Sequence, residues 1–258
     1  MHEFDRHAQL QPAGVGRYTT TLSDLWNVGP VPNGGYLLAL AGKALAAGSG
    51  HRDPLTITGH FLRPAQPGPA ELVVTPFKQG RTFDHAQVSL LQDGSERCRF
   101  IAALGTLADI RGASWREEPP PAMPPPDACL PLPPNVTLNS RYTALFDPAS
   151  LAWLRGERGA ADFHAWIAHA DGRPHDALSV LLYADALPPP VFNRLGPAGW
   201  VPTVEITVHL RAIPAPGLVQ CRFRTRYVTR GLLEADGELW DSAGQLVALS
   251  RQLARLRD

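Results

Sequence analysis

The chain has 258 residues, 44% of them hydrophobic, enough to fill one large core or two of about 130 residues each. Its 24 basic and 24 acidic side chains balance, with no Lys/Arg-rich run, which argues against nucleic acid or an anionic membrane as the main partner. Cys98, Cys129 and Cys221 are far apart, no apolar run reaches the roughly 18 residues of a membrane span, and Met1 to Arg6 is polar with no apolar segment behind it; these features predict a soluble cytoplasmic protein without a disulfide framework, a zinc site or a membrane span.

In chain order, residues 18–28 read as a strand, and Asn33-Gly34-Gly35-Tyr36 then opens an apolar segment, 37–47, of helical composition. Runs at 55–63, 70–78, 84–92 and 97–107 follow. Pro67-Gly68-Pro69, Gly80 and Asp93-Gly94 punctuate them, which predicts an antiparallel meander. Nine prolines fall between Pro119 and Pro134, where the chain can neither continue a helix nor join a sheet interior. That stretch reads as an extended spacer and divides the chain. Beyond it, 138–146 and 162–170 read as strands, Pro174-His175-Asp176 introduces an apolar helix over 177–187, and Pro188-Pro189-Pro190 stops it. Strands are then predicted at 203–213, 217–228, 232–241 and 246–256.

The order of elements therefore repeats, and so do some residues. His60-Phe61-Leu62-Arg63-Pro64 with Pro67-Gly68 has an echo in His209-Leu210-Arg211-Ala212 with Pro216-Gly217. Aligning the two helices sets Lys43 against Asp185. We expect an α+β fold of the tandem hotdog kind, two copies of a long helix wrapped by an antiparallel sheet. Its parts would be an N-terminal unit over 1–112, a linker over 113–136 and a C-terminal unit over 137–258. Two independent α+β domains are the alternative.

Two polar side chains interrupt apolar segments: Asp185 within Leu181 to Leu187, and Gln252 within Leu246 to Leu256. Burying a carboxylate or amide costs several kcal/mol unless something hydrogen-bonds to it, so each needs a partner, and the two can satisfy one another. Asp185 falls near the predicted C-terminal end of its helix, where the macrodipole disfavours negative charge. Gln252 shares strand parity with Leu246, Ala248, Ala254 and Leu256, so it should point inward.

Taken together, Gly34-Gly35, His60 to Pro64, Gly80-Arg81, Gln92-Asp93-Gly94, the Leu181 to Leu187 segment, Thr203 and Gln252 make the chain resemble the TesB-type acyl-CoA thioesterase II family, from about residue 25 onward. The resemblance implies hydrolysis of acyl-CoA to free carboxylic acid and coenzyme A, with an Asp, a Thr and a Gln holding the attacking water. Those roles fall on Asp185, Thr203 and Gln252. It implies an acyl-CoA substrate, no metal and no cofactor, and paired hotdogs suggest a homodimer or higher homo-oligomer.

Simple alternation along the strand points Thr203 outward with Glu205, Thr207 and His209; only a bulge near Pro202, or a site at the strand's end, would bring it to the water. The backbone N–H groups of Asn33, Gly34, Gly35 and Tyr36, at a helix start, are candidate oxyanion donors, with Asn33 alternatively a plain N-cap. His60 and His209 recur at matching places, which suggests a fold role, and Arg63 and Arg81 are candidates for coenzyme A phosphates. No Gly-x-Ser-x-Gly elbow is present. Two other functions compete: a non-catalytic acyl- or lipid-binding hotdog protein, and an enoyl-CoA hydratase-like enzyme, whose paired Asp and His we do not find.

Overall fold

The computed structural model describes residues 1–133, 136–197 and 199–256. Four α-helices occur among them: α1 (Glu3–His7), α2 (Gly34–Ala47), α3 (Ala177–Tyr183) and α4 (Val191–Leu195). Eleven strands exceed two residues: β1 (Arg17–Leu22), β2 (Asp53–Phe61), β3 (Gly68–Lys78), β4 (Asp84–Gln92), β5 (Ser95–Gly105), β6 (Tyr142–Phe146), β7 (Asp162–His169), β8 (Thr203–Leu210), β9 (Val219–Arg224), β10 (Leu232–Trp240) and β11 (Leu246–Arg255).

All eleven lie in a single antiparallel sheet in the order β1-β3-β4-β5-β2-β8-β11-β10-β9-β7-β6. The centre of this order is the β2·β8 pair, where Ile57 faces Val208, Gly59 faces Ile206 and His60 faces Glu205. Outward from that seam the N-terminal half runs β2, β5, β4, β3, β1 and the C-terminal half runs β8, β11, β10, β9, β7, so each half repeats the other's connectivity. In each half the principal helix follows the outermost of these strands and precedes the central one.

α2 is apolar except at Lys43: Leu37, Leu38, Leu40, Ala41, Ala44 and Leu45 are all buried, the pattern of a helix enclosed by a core rather than resting on one. α3 begins with a capping box, Asp176 accepting from the Ser179 amide while the Ser179 hydroxyl accepts from the Asp176 amide. It packs against α2 with its C-terminal end at the start of α2, and one continuous hydrophobic cluster includes both helices and the inner face of the sheet. The helix expected over 177–187 shortens to the span ending at Tyr183, because the chain turns at Ala184-Asp185 ahead of the three prolines and restarts as α4. The strand expected over 18–28 ends at Leu22, where Ser23 caps a short 3-10 turn at Asp24–Trp26. The strand expected over 203–213 ends at Leu210.

The proline-rich stretch crosses the C-terminal half and is pinned there. Trp166 Nε1 donates to the Pro124 carbonyl at 2.9 Å, the Gln220 amide donates to the Pro121 carbonyl, and Arg116 donates to the Gly244 carbonyl at 2.6 Å. Prolines leave their carbonyls free as acceptors, which is why side-chain donors of the sheet can hold the strap. The N-terminal segment, where no element was expected, also ties the halves together. Phe4 of α1 is buried edge-on to Trp26 at 5.6 Å and beneath the Arg173 guanidinium at 5.0 Å, while Lys43 Nζ donates to the Ala8 carbonyl at 2.7 Å.

Candidate active site

Asp185 is the residue about which the site is built. It lies in the turn just beyond α3, half-buried, and its carboxylate meets the N-terminus of α2, some 150 residues earlier in the chain. Its Oδ2 accepts from the Gly35 amide at 3.1 Å and from Asn33 Nδ2 at 3.1 Å, and the same Nδ2 donates to the Asp185 carbonyl at 2.7 Å. The expectation that Asp185 sits unfavourably on its own helix dipole is thus corrected. Its helix has already ended, and the dipole it meets is the positive end of α2, which has no acidic residue of its own in the first turn.

The partner of Asp185 is therefore this helix start and not Gln252. Among the described residues no hydrogen bond joins those two side chains, which removes the idea that they satisfy one another. Asp185 Oδ1 accepts no hydrogen bond among the described residues, although it is not among the fully buried unpartnered atoms. One oxygen is anchored and the other is available.

The two glycines are dictated by this close approach. A Cβ on Gly34 would lie 2.7 Å from Asp185 Oδ2 and 2.9 Å from Phe61 Cζ, and one on Gly35 would lie 2.6 Å from the Leu182 carbonyl oxygen. Only residues without a side chain let the end of α3 rest on the start of α2. Burial pushes the Asp185 carboxyl from its usual 3.8 up to about 6, and the hydrogen bonds from Gly35 and Asn33, with the nearby Gly34 amide, oppose that rise without cancelling it.

The four helix-start residues proposed as oxyanion donors are thus largely engaged within the protein. The Gly35 amide is given to Asp185, the Tyr36 amide to Asn33 Oδ1 at 3.2 Å, and Asn33 is both N-cap and clamp. The Tyr36 side chain is fully buried, stacked on Trp26 with ring centroids 5.5 Å apart, and its hydroxyl donates to the His7 carbonyl at 2.6 Å. It faces the N-terminal segment, not Asp185.

Thr203 is turned inward by the device the alternation required. The β8·β11 register shifts between Thr203 and Glu205, leaving exposed Val204 as an extra residue, so that Thr203 pairs with buried Ala254 while Glu205 pairs with Leu253. Gln252 pairs with buried Ile206 and buried Ala235, which places it on the inner face of the sheet as its parity indicated. It is half-buried and makes no hydrogen bond among the described residues. Ala254, two positions on, packs with Leu233 and with Val191 of α4, which covers that end of the strand.

Phe61, whose role the sequence did not signal, packs beside the start of α2. Its ring approaches Gly34 beside the carboxylate and meets Phe100 edge-on at 6.3 Å. It follows His60, the partner of Glu205, so on the inner face it borders the bulge at Thr203. Phe61 of β2 and Thr203 of β8 lie on the two strands of the seam, and Gln252 lies on the adjoining β11. His60 and His209 are exposed on the opposite face, facing Glu205 and Thr56 in symmetric positions across the seam, which suits a fold role. Arg63 donates to the Glu96 carbonyl at 3.2 Å on the surface, and Arg81 is exposed. Among the described residues no group of three or more His, Cys, Asp or Glu is placed to hold a metal ion, and no helix is long and apolar enough to cross a membrane.

A helix enclosed by a long antiparallel sheet, with a carboxylate set on that helix's N-terminus, defines a protein of the hotdog fold. Residues 22–108 match the family model for the acyl-CoA thioesterase N-terminal domain, and residues 116–256 match that for the acyl-CoA thioesterase C-terminal domain. The chain belongs to the acyl-CoA thioesterase family and is an enzyme of thioester hydrolysis. It is similar to the crystal structure of a putative thioesterase II from Thermobifida fusca, with a TM-score of 0.91 and 33% identity over 100% of this chain and 98% of that one. The TesB protein of Mycobacterium avium subsp. paratuberculosis shares the fold, with a TM-score of 0.84 and 17% identity over 99% of each chain. An uncharacterized protein of Mycobacterium tuberculosis is 28% identical over 90% of this chain and 88% of its own length.

Proposed function

We propose that the protein hydrolyses acyl-CoA with a water activated by Asp185. The observation that carries this reading is the half-tethered carboxylate: Oδ2 is fixed by Asn33 and Gly35, Oδ1 is available, and burial brings the carboxyl up to about 6. A base whose proton affinity lies this close to neutrality takes up a proton in the transition state while still being ionised at rest. Thr203 and Gln252 are assigned to the same water, the hydroxyl and the amide oxygen accepting from or orienting it, and Gln252 Nε2 donating to the thioester oxygen as it becomes negative.

In the reaction, the water oxygen bonds to the carbonyl carbon while Asp185 takes its proton. The tetrahedral intermediate then collapses, the carbon–sulfur bond breaks, and the proton held by Asp185 passes to the departing sulfur. The products are the free acid and coenzyme A, and the carboxylate is regenerated. Because a thiol ionises near pH 8.5, the sulfur leaves far more readily than an alkoxide would.

The rival reading as a non-catalytic binder required Asp185 and Gln252 to be each other's partners, and Asp185 has other partners. The mirrored strand order supports two hotdogs, at 1–112 and 137–258, joined by the strap at 113–136, with the acid of the second unit serving the helix of the first. Exposed Ile101, Leu249 and Leu253 on the outer face of the sheet support a homodimer or larger assembly, measurable by light scattering. The function is tested by release of coenzyme A thiol from a series of acyl-CoAs. Loss of release in Asp185→Asn, with the fold intact by circular dichroism, is the expected result; unchanged turnover would refute it.

A further inference from the structure

The two principal helices start in opposite ways. Asp176, the N-cap of α3, closes on its own helix: it accepts from the Ser179 amide and hydroxyl and is gripped by Arg173 at 2.6 Å. Asn33, the N-cap of α2, spends only its Oδ1 on its own helix, accepting from Tyr36. Its Nδ2 reaches across to the other half of the chain and meets Asp185 twice, at the carbonyl and at Oδ2. Asn33 is buried, and all its polar atoms are used. No other common N-cap residue provides this combination, since Asp and Ser cap equally well but cannot give two hydrogen bonds from a side-chain amide.

We infer that Asn33 is a positioning residue for the hydrolytic acid, an N-cap whose amide fixes Oδ2 and the backbone of Asp185 so that Oδ1 alone is presented to the water. The inference rests on the reading of Asp185 as the base. Without the amide, the carboxylate can turn about its last bond and offer either oxygen, and the turn carrying it loses its tie to α2. A carboxylate free to rotate is misplaced by an ångström or more for part of the time, a displacement that costs about 100-fold in rate when the chemistry needs a fixed geometry. The ionisation of Asp185 is governed by burial and by the donors Gly35, Asn33 and Gly34, with no charged neighbour among its causes. The titratable group that senses its charge is Tyr142, whose buried hydroxyl stays well above its usual value. Removing the Asn33 donor therefore leaves the Asp185 carboxyl harder to ionise.

Three variants separate the roles. Asn33→Ser keeps a capping oxygen and loses the amide. Asn33→Asp keeps the shape and the cap but replaces the donor with a second carboxyl against Asp185. Asp185→Asn tests the function itself. For Asn33→Ser and Asn33→Asp we expect kcat to fall by about 10- to 100-fold with KM changed less than threefold, and the acid limb of the kcat/KM profile to move to higher pH, further in Asn33→Asp because two carboxyls in contact resist ionising together. The carboxyl ¹³C resonance of Asp185, identified by its absence in Asp185→Asn, should titrate at higher pH in both Asn33 variants. Wild-type kcat and an unmoved pH limb in a folded Asn33→Ser protein would overturn the inference. If Asp185→Asn remained active the proposed function would fail, and the ¹³C titration, which needs no turnover, would still decide whether Asn33 governs the carboxyl. Should Asn33→Asp not fold, Asn33→Ser carries the test, since a serine cap is within a few tenths of a kcal/mol of asparagine in helix stability.

Discussion

Asp185→Asn should make the protein inactive and more stable at once. At pH 8 the native carboxyl is ionised in a site whose burial raises it from 3.8 to about 6. At about 1.4 kcal/mol per pH unit, holding the charge there costs up to about 3 kcal/mol of folding stability, and partial exposure reduces the figure toward 1–2 kcal/mol. The sign follows from the two protonation states. The folded carboxyl binds its proton more tightly than the unfolded one, so this group favours folding fully below about pH 4, and that contribution is lost as the pH rises through about 6. Asparagine has the same shape, and its Oδ1 can still accept from Gly35 and from Asn33, so the anchoring survives while the charge disappears. Thermal unfolding at pH 8 should therefore shift upward by roughly 2–4 °C for each kcal/mol recovered, and the difference from wild type should shrink to near zero by pH 4. Thiol release should fall by about 10²–10⁴-fold, the usual loss on removing a general base. A variant that unfolds at lower temperature than wild type at pH 8, or a gap that widens on acidification, would refute the electrostatic reasoning. In the native enzyme the same carboxyl should give kcat/KM an acid limb with its midpoint near pH 6.

Gly34→Ala should lower kcat/KM at least tenfold and destabilise by about 1–3 kcal/mol, since the new methyl meets Asp185 Oδ2 at 2.7 Å and Phe61 at 2.9 Å; normal kinetics and melting would show that the helix start can move aside. Gln252→Leu should cut kcat by about 10²–10³-fold while leaving urea unfolding within about 1 kcal/mol, because the amide has no partner among the described residues to lose; a large stability change would mark it as structural. His169 predicts the opposite pH trend to Asp185. Burial pushes its imidazole from 6.5 down to about 4, so its neutral form favours folding above pH 6.5 and the contribution, up to about 3 kcal/mol, disappears as the pH falls toward 4. His169→Gln, whose amide can still reach Ser179, should flatten that acid loss in denaturant titrations at stepped pH, and an unchanged slope would contradict it.

Much of the fold was legible because it is written in near neighbours. Alternation along 84–92 and punctuation at Asp93-Gly94 suffice to place a strand and its turn, and the unbroken apolar run after Asn33-Gly34-Gly35 suffices for a buried helix. The same local logic singled out Asp185 as a charge in an apolar segment and gave Gln252 its inward direction. It also misplaced things where a single residue outweighs the pattern. The one extra residue at Val204 reverses the side to which Thr203 points, and a bulge leaves no mark in the alternation that follows it.

Read as a string of residues, the chain already marks a carboxylate and an amide where apolar side chains belong, and an order of elements that recurs on either side of the prolines. What satisfies the carboxylate follows from how the helices pack. Its partners, Asn33 and Gly35, are some 150 residues away and belong to the other half, and they become neighbours because α2 and α3 pack end to start beneath a sheet shared across the β2·β8 seam. Periodicity encodes which face of an element is buried. Which buried group meets which depends on how two such faces are brought together, and that is set by the packing of the whole core.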